Sequence, residues 1–102
     1  MTAATLKAAT LAILGDGASW TQGALARKAD GKPCSPFHQD AVEWDVMGAL
    51  IKAQLESTEP NYASYQLVYD DLRGNIPGSY KNQDIESYND EATWAQVAAL
   101  FA

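Results

Sequence analysis

The sequence predicts a mainly α domain of the α+β class, with about four helices around a central helix and a short β-hairpin. Three observations carry that expectation. Apolar residues recur at helical spacing near the N terminus, an Asp-Gly pair lies between two short extended runs, and the stretch from Ala41 to Glu56 is apolar on two opposite faces. With 102 residues, 47% of them hydrophobic and 20% charged, the chain has the make-up of a single globular domain over positions 1–102.

The run from Ala3 to Leu14 places Ala3, Leu6, Thr10, Ile13 and Leu14 within one arc of a helical wheel, and Gly15 supplies a left-handed stop. Leu11 falls about 140° from Leu6, off that arc, which makes it either a second internal contact or an exposed contact for a partner. Ser19 and Gln22 have the spacing of a capping box, so a short helical turn is expected there, with Trp20 adding a large apolar surface. From Gly23 to Pro36 the character changes. Leu25-Ala26-Arg27-Lys28 and Lys32-Pro33-Cys34 flank Ala29-Asp30-Gly31, a hairpin signal, and Pro33 confines its strand to an edge. A lone two-stranded ribbon is marginal in water, so this one must lean on the helices through Leu25 and Trp20.

Ser35 to Gln39 reads as a loop, after which Asp40 can cap a long helix from Ala41 to about Glu56. One stripe of its wheel holds Trp44, Met47, Gly48, Ile51 and Leu55. The other holds Val42, Val46, Ala49, Leu50 and Ala53, and Asp45, Lys52 and Glu56 form a narrow polar strip between the two. Such a helix is expected to be packed on both faces. Gly48 in its middle costs about 1 kcal/mol against Ala, which another backbone passing close by would explain. A third helix is expected over Tyr62 to Arg73, started by Asn61 or Glu59 and stopped by Gly74, with Tyr62, Tyr65, Val68, Tyr69 and Leu72 on one face. Asn75 to Gly78 has the Pro and Gly of a type II turn, and Gln83 to Tyr88 makes one or two helical turns. Trp94 to Phe101 is the last helix. Thr93 and Gln96 form its capping box, and Trp94, Val97, Ala98 and Phe101 its buried face.

Laid out in this order, Trp20-Thr21-Gln22-Gly23, Ala26-Arg27 and Asp30-Gly31, then Ala41, Trp44 and Gly48-Ala49-Leu50, then Tyr88-Asn89-Asp90, the chain resembles a small uncharacterised domain family of unknown function. That family is met in bacteria, notably actinobacteria, and in their phages. The resemblance spans most of the chain and is sharpest from Trp20 to Gly31. Where the family pattern has a Pro-Gly-Arg-like insert after the Asn-Asp pair, Glu91-Ala92 here leads straight to Thr93. The resemblance implies an architecture and a source, and it transfers no catalytic residue.

Net charge is −6, from 13 acidic against 7 basic residues, which sets a repulsive field against a phosphate backbone and disfavours direct nucleic-acid binding. No stretch approaches the roughly 20 apolar residues of a membrane helix. The apolar start has no basic leader before it, so it is not expected to be a signal peptide. The lone Cys34 has no partner for an internal disulfide, and the cytoplasm is the expected compartment.

Candidate chemistry is sparse. Cys34 and His38 invite a nucleophile pair or half a metal site, but Pro33 and Pro36 keep them off one helical face and no second Cys or His completes a zinc set. Asp70-Asp71, Asp84/Glu86 and Asp90-Glu91 are paired acids; Asp70 and Asp71 diverge by about 100° on a helix, and Asp90 and Glu91 sit where a helix start attracts negative charge. Gly15-Asp16-Gly17 has neither the strand nor the Lys-Ser/Thr of a phosphate loop. No cofactor, metal or catalytic residue is expected. The aromatic residues carry more weight. Trp20, Trp44 and Trp94 are assigned to the core, whereas Tyr62, Tyr65, Tyr69, Tyr80 and Tyr88 all fall in the second half and suit either a core edge or a binding patch.

The five tyrosines, with Asp70, Asp71 and Arg27, are the candidate binding residues of the expected function, a non-enzymatic module whose partner is a bacterial protein. Its concrete form in a phage would be an inhibitor of a host defence system, such as an anti-CRISPR protein, with the acidic surface facing a basic groove. The alternative is a small-molecule or nucleotide binder, or an enzyme, with a pocket between hairpin and central helix near Trp20, Arg27, Trp44 and Asp45, where Arg27 would hold an anion. A third reading is a homo-oligomer joined through Leu11 and Leu67.

Overall fold

Thr2 opens the first helix by accepting a hydrogen bond from the Thr5 N–H at 3.1 Å. The computed structural model describes residues 2–57, 62–78 and 83–102. Helix α1, Ala3–Leu14, ends at Gly15, whose φ of 65° lets its N–H turn back to the carbonyls of Leu11 and Ala12. Leu6, Thr10 and Leu14 are fully buried on one face, and the Thr10 hydroxyl is satisfied inside the helix by donating to the Leu6 carbonyl at 2.8 Å.

The hairpin forms where Asp30-Gly31 predicts it. Strand β1, Ala26–Lys28, pairs antiparallel with β2, Pro33–Cys34, Ala26 opposite Cys34. Lys28 N–H bonds to Lys32 and Gly31 N–H to Lys28, and Gly31 takes φ 84°, the left-handed residue that a three-residue hairpin loop needs. The ribbon is not two-stranded, however. A third strand, β3, Ala41–Trp44, pairs with the other edge of β1, giving the order β2-β1-β3 with a register shift between Arg27 and Lys28.

Strand β3 corrects the expected start of the central helix. Helix α2 is Val46–Glu56, capped by Asp45 and not by Asp40. Residues 41–44 gain ladder bonds to β1, and Asp45 can then cap, its Oδ1 accepting from the Gly48 N–H at 2.6 Å. The expected helical turn at Ser19 is also replaced. Trp20 bridges Trp44 in parallel, with Trp44 N–H donating to the Ser19 carbonyl at 2.8 Å and Thr21 N–H to the Trp44 carbonyl at 3.0 Å.

Helix α2 is buried from Val46 through Leu50 and again at Ala53, against α1 on one side and α4 on the other. The close backbone expected at Gly48 is Leu25: a Cβ at Gly48 would overlap the Leu25 carbonyl oxygen and stand 2.8 Å from its carbon. Helix α3, Tyr62–Gly74, packs on α1 through Ser64, Val68 and Leu72, its proposed start at Glu59 or Asn61 lying outside the described residues. Asn75 ties the end of α3 to the C terminus, its Nδ2 donating to the Leu100 carbonyl at 2.8 Å. Helix α4, Ile85–Glu91, is capped by Asp84, and α5, Trp94–Ala99, by the reciprocal Thr93/Gln96 box that the sequence predicts. Val97 and Leu100 are the fully buried residues at this end, with Trp94 and Phe101 packed against them at the core edge. The result is five helices and one small antiparallel sheet among the described residues, the α+β class expected. None of these helices is long and apolar enough to cross a membrane.

Candidate functional site

Helix α1 packs against both α2 and α3, and between those two helices lies an open cleft of about 450 Å³ lined by Ile51, Gln54, Leu55, Tyr62 and Tyr65. Its walls come from the stripe of α2 that was expected to be covered. Leu50 and Ala53 are buried, whereas Leu55 is 58% exposed. Tyr62 is 74% exposed and stacks on Tyr65, ring centroids 6.0 Å apart and planes at 20°, so the two phenols present one continuous aromatic surface. One turn further along, Tyr69 lines a smaller hollow of about 140 Å³ with Met47, Asp84, Ile85 and Glu86. Burial pushes the Tyr65 phenol above its ordinary 10.0, with Tyr62, Tyr69 and Glu86 adding to the effect, so it stays a proton donor at neutral pH.

A second constellation is internal. Asn89, on α4, is fully buried with all four amide valences used: Oδ1 accepts from Trp20 Nε1 at 2.8 Å and Val46 N–H at 3.1 Å, while Nδ2 donates to the Thr21 carbonyl at 3.1 Å and Asp90 Oδ1 at 3.2 Å. Gln22 Nε2 reaches the carbonyls of Asn89 and Ala92, both at 2.9 Å, and Gly23 N–H donates to Asp90 Oδ1 at 2.8 Å. Trp20 to Gly23 is thereby latched to Asn89 and Asp90 across nearly 70 positions. Beside this network Asp45, 3% exposed, has its pKa raised from 3.8 to about 6, by burial first, with the Gly48 bond opposing and Glu86 and Asp90 adding to the rise.

The model of a family of unknown function, DUF6197, matches residues 1–102. The chain belongs to that family. No curated protein and no solved structure matches it. The expectation of an uncharacterised domain family therefore holds. In this DUF6197 chain, two of the segments on which the resemblance was stated, Trp20 to Gly23 and Asn89-Asp90, are the two halves of the latch.

The other candidate residues of the DUF6197 chain separate. Tyr62, Tyr65 and Tyr69 share the cleft side of α3, but Tyr88 is 1% exposed inside the core and Tyr80 lies outside the described residues. Asp70 accepts from Gln66 at 3.0 Å, and Asp71 pairs with Lys7 at 2.6 Å, which ties α3 to α1. Arg27 is engaged inside its own hairpin, donating to the carbonyl of Gln22 at 2.9 Å and that of Gly31 at 2.9 Å. Between hairpin and central helix the Leu25 backbone lies against Gly48, and Trp20 and Trp44 spend their indole N–H groups on Asn89 and the Pro36 carbonyl. His38 Nδ1 accepts from the Asp40 N–H at 3.0 Å as part of a turn, and among the described residues no group of three or more His, Cys, Asp or Glu is placed to hold a metal. Leu67 is 60% exposed beside the α1–α3 groove, and Leu11 is half-buried next to Phe101.

Sequence reasoning missed half-buried Ile51 and exposed Leu55 as a cleft wall because periodicity shows that a stripe is apolar and not whether anything covers it. Asn89 entered only through the resemblance; its role as a buried hub was missed because a lone Asn carries no pattern of its own. Asp45 was visible as a polar break within an apolar run, five residues after Asp40, where the cap was expected.

Proposed function

We propose that the chain is a non-enzymatic binding module that engages a protein partner through the cleft between α2 and α3. The observation that supports this is the pairing of Tyr62 with Leu55, both largely exposed, around a concave apolar surface. Exposed tyrosine supplies large contact area for little lost side-chain freedom, and burying one such ring and one leucine is worth roughly 2 kcal/mol each. The narrower reading as an inhibitor of a bacterial defence system draws support from the −6 charge alone. The cleft favours an apolar element of a protein over a basic nucleic-acid groove.

The test compares the native sequence with Tyr62→Ala/Leu55→Ser as bait in bacterial lysate, both checked for unchanged circular dichroism. A protein retained by the first and lost from the second is the expected result. Identical recovery on both baits would remove the cleft from consideration.

A further inference from the structure

Resting on that reading, we infer that the cleft takes an apolar segment of a partner protein carrying a lysine or arginine at the end that lies over α4. Three features of the surface lead there. The first is its length. Met47, Ile51 and Leu55 follow one another along α2, and Tyr69, Tyr65 and Tyr62 run beside them in the opposite chain direction, so the two hollows are consecutive parts of one strip. Eight residues of helix give a strip about 12 Å long, enough for two turns of a docked helix or three to four extended residues.

The second is its polarity. The Leu55/Tyr62 end is aliphatic and aromatic, whereas the Met47/Tyr69 end is bounded by the first turn of α4, with Asp84 and Glu86. Asp84 is occupied, accepting from Ser87 N–H at 2.8 Å with the Arg73 charge nearby. Glu86 is exposed and forms no ion pair among the described residues. Two further carboxylates are near, since buried Asp45 feels the negative charge of both Glu86 and Asp90. The third is where the cations are. Lys52 is drawn to Glu56 at 2.9 Å and over Trp44, and Lys7 to Asp71. Neither lysine reaches the α4 end, and Arg73, whose charge lies near Asp84, forms no ion pair with Glu86 among the described residues. An incoming ammonium or guanidinium there meets the Glu86 carboxylate in a hollow that Tyr69 also lines, whereas a carboxylate in the ligand meets repulsion.

The experiment selects a phage-displayed random library of peptides about twelve residues long on the immobilised 102-residue chain, then measures the enriched peptides as synthetic ligands by fluorescence anisotropy. Enriched sequences are expected to place two or three apolar residues before a Lys or Arg. Glu86→Gln should weaken such a peptide about fivefold, the worth of one exposed ion pair, and leave its norleucine-for-lysine analogue unchanged. Raising salt should weaken the first peptide and spare the second. If the selected peptides need Tyr62 and Leu55 but carry no basic preference, or ignore Glu86→Gln, the inference is wrong while the binding reading stands. If peptides are enriched equally on the Tyr62→Ala/Leu55→Ser chain, or none is enriched at all, both are wrong. Concentration-dependent self-association abolished by the same double variant would replace the partner protein with a second copy and equally overturn the inference.

Discussion

Asp45 is a carboxylate that the fold uses and strains against at once. As the cap of α2 it satisfies the Gly48 N–H, yet burial raises its pKa from 3.8 to about 6. Between those two values the native state keeps a proton that the unfolded chain has released, so stability falls as pH rises through this window and the loss is complete above it. A shift of this size corresponds to roughly 3 kcal/mol at neutral pH. Asparagine caps a helix as well as aspartate does and carries no charge to desolvate. Asp45→Asn is therefore expected to be more stable than the native chain at pH 7.5, by on the order of 1–3 kcal/mol in urea denaturation, with the gap closing toward pH 4.5. An Asn variant no more stable at pH 7.5 would mean that the carboxylate is not held in a costly place. Gly48 three residues on is constrained by space and not by φ. Gly48→Ala gains about 1 kcal/mol of helix propensity but drives a methyl into the Leu25 carbonyl, and a net loss of about 2 kcal/mol or more is expected from thermal unfolding.

At the scale of elements, the helices whose boundaries chemistry marks were legible. Gly15 closes α1, and the Thr93/Gln96 box opens α5, because capping satisfies donors and acceptors that any helix end exposes. The start of α2 was not, since Ala41 to Trp44 continues an apolar wheel by chance while its pairing partner, β1, lies well over a dozen residues upstream. The approach of another backbone to Gly48 could be inferred because a mid-helix glycine needs a local reason; that Leu25 supplies it could not. The cleft was half legible: the tyrosines of α3 were singled out, but the open stripe of α2 opposite them depends on what packs there, which is a tertiary fact. Leu50 and Leu55 make the contrast measurable, being leucines of one helix with opposite surroundings. Leu50→Ala should cost about 2–5 kcal/mol, and Leu55→Ser should stay within about 0.5 kcal/mol, by urea titration. Comparable losses at both would show that the α2–α3 cleft is closed in solution.

At the scale of the molecule, α1 and α2 form the centre of a core that Val68 and Leu72 of α3, Ile85 and Tyr88 of α4 and Val97 of α5 complete, and a polar element decides how the ends of the chain are assembled on it. Asn89 joins Trp20, Thr21, Val46 and Asp90, and its acceptor oxygen covers the first N–H of α2 while Asp45 covers the third. The indole of Trp20 also leans on Trp94, centroids 5.7 Å apart, so sheet, central helix and both C-terminal helices meet at this point. Truncation to Ala removes no large apolar volume. It leaves an indole N–H, a helix N–H and a carbonyl without partners inside the protein, each costing about 1–3 kcal/mol unless water enters. Asn89→Ala is expected to lower stability by on the order of 3–4 kcal/mol and to shift Trp20 emission to the red as water reaches the indole. Amide exchange should speed up first at residues 20–23 and in α4, with α1 and its partners in α2 and α3 protected longest. A uniform acceleration across all elements would instead assign Asn89 to the cooperative core, and a loss below about 1 kcal/mol would show that the latch is dispensable to the assembly it spans.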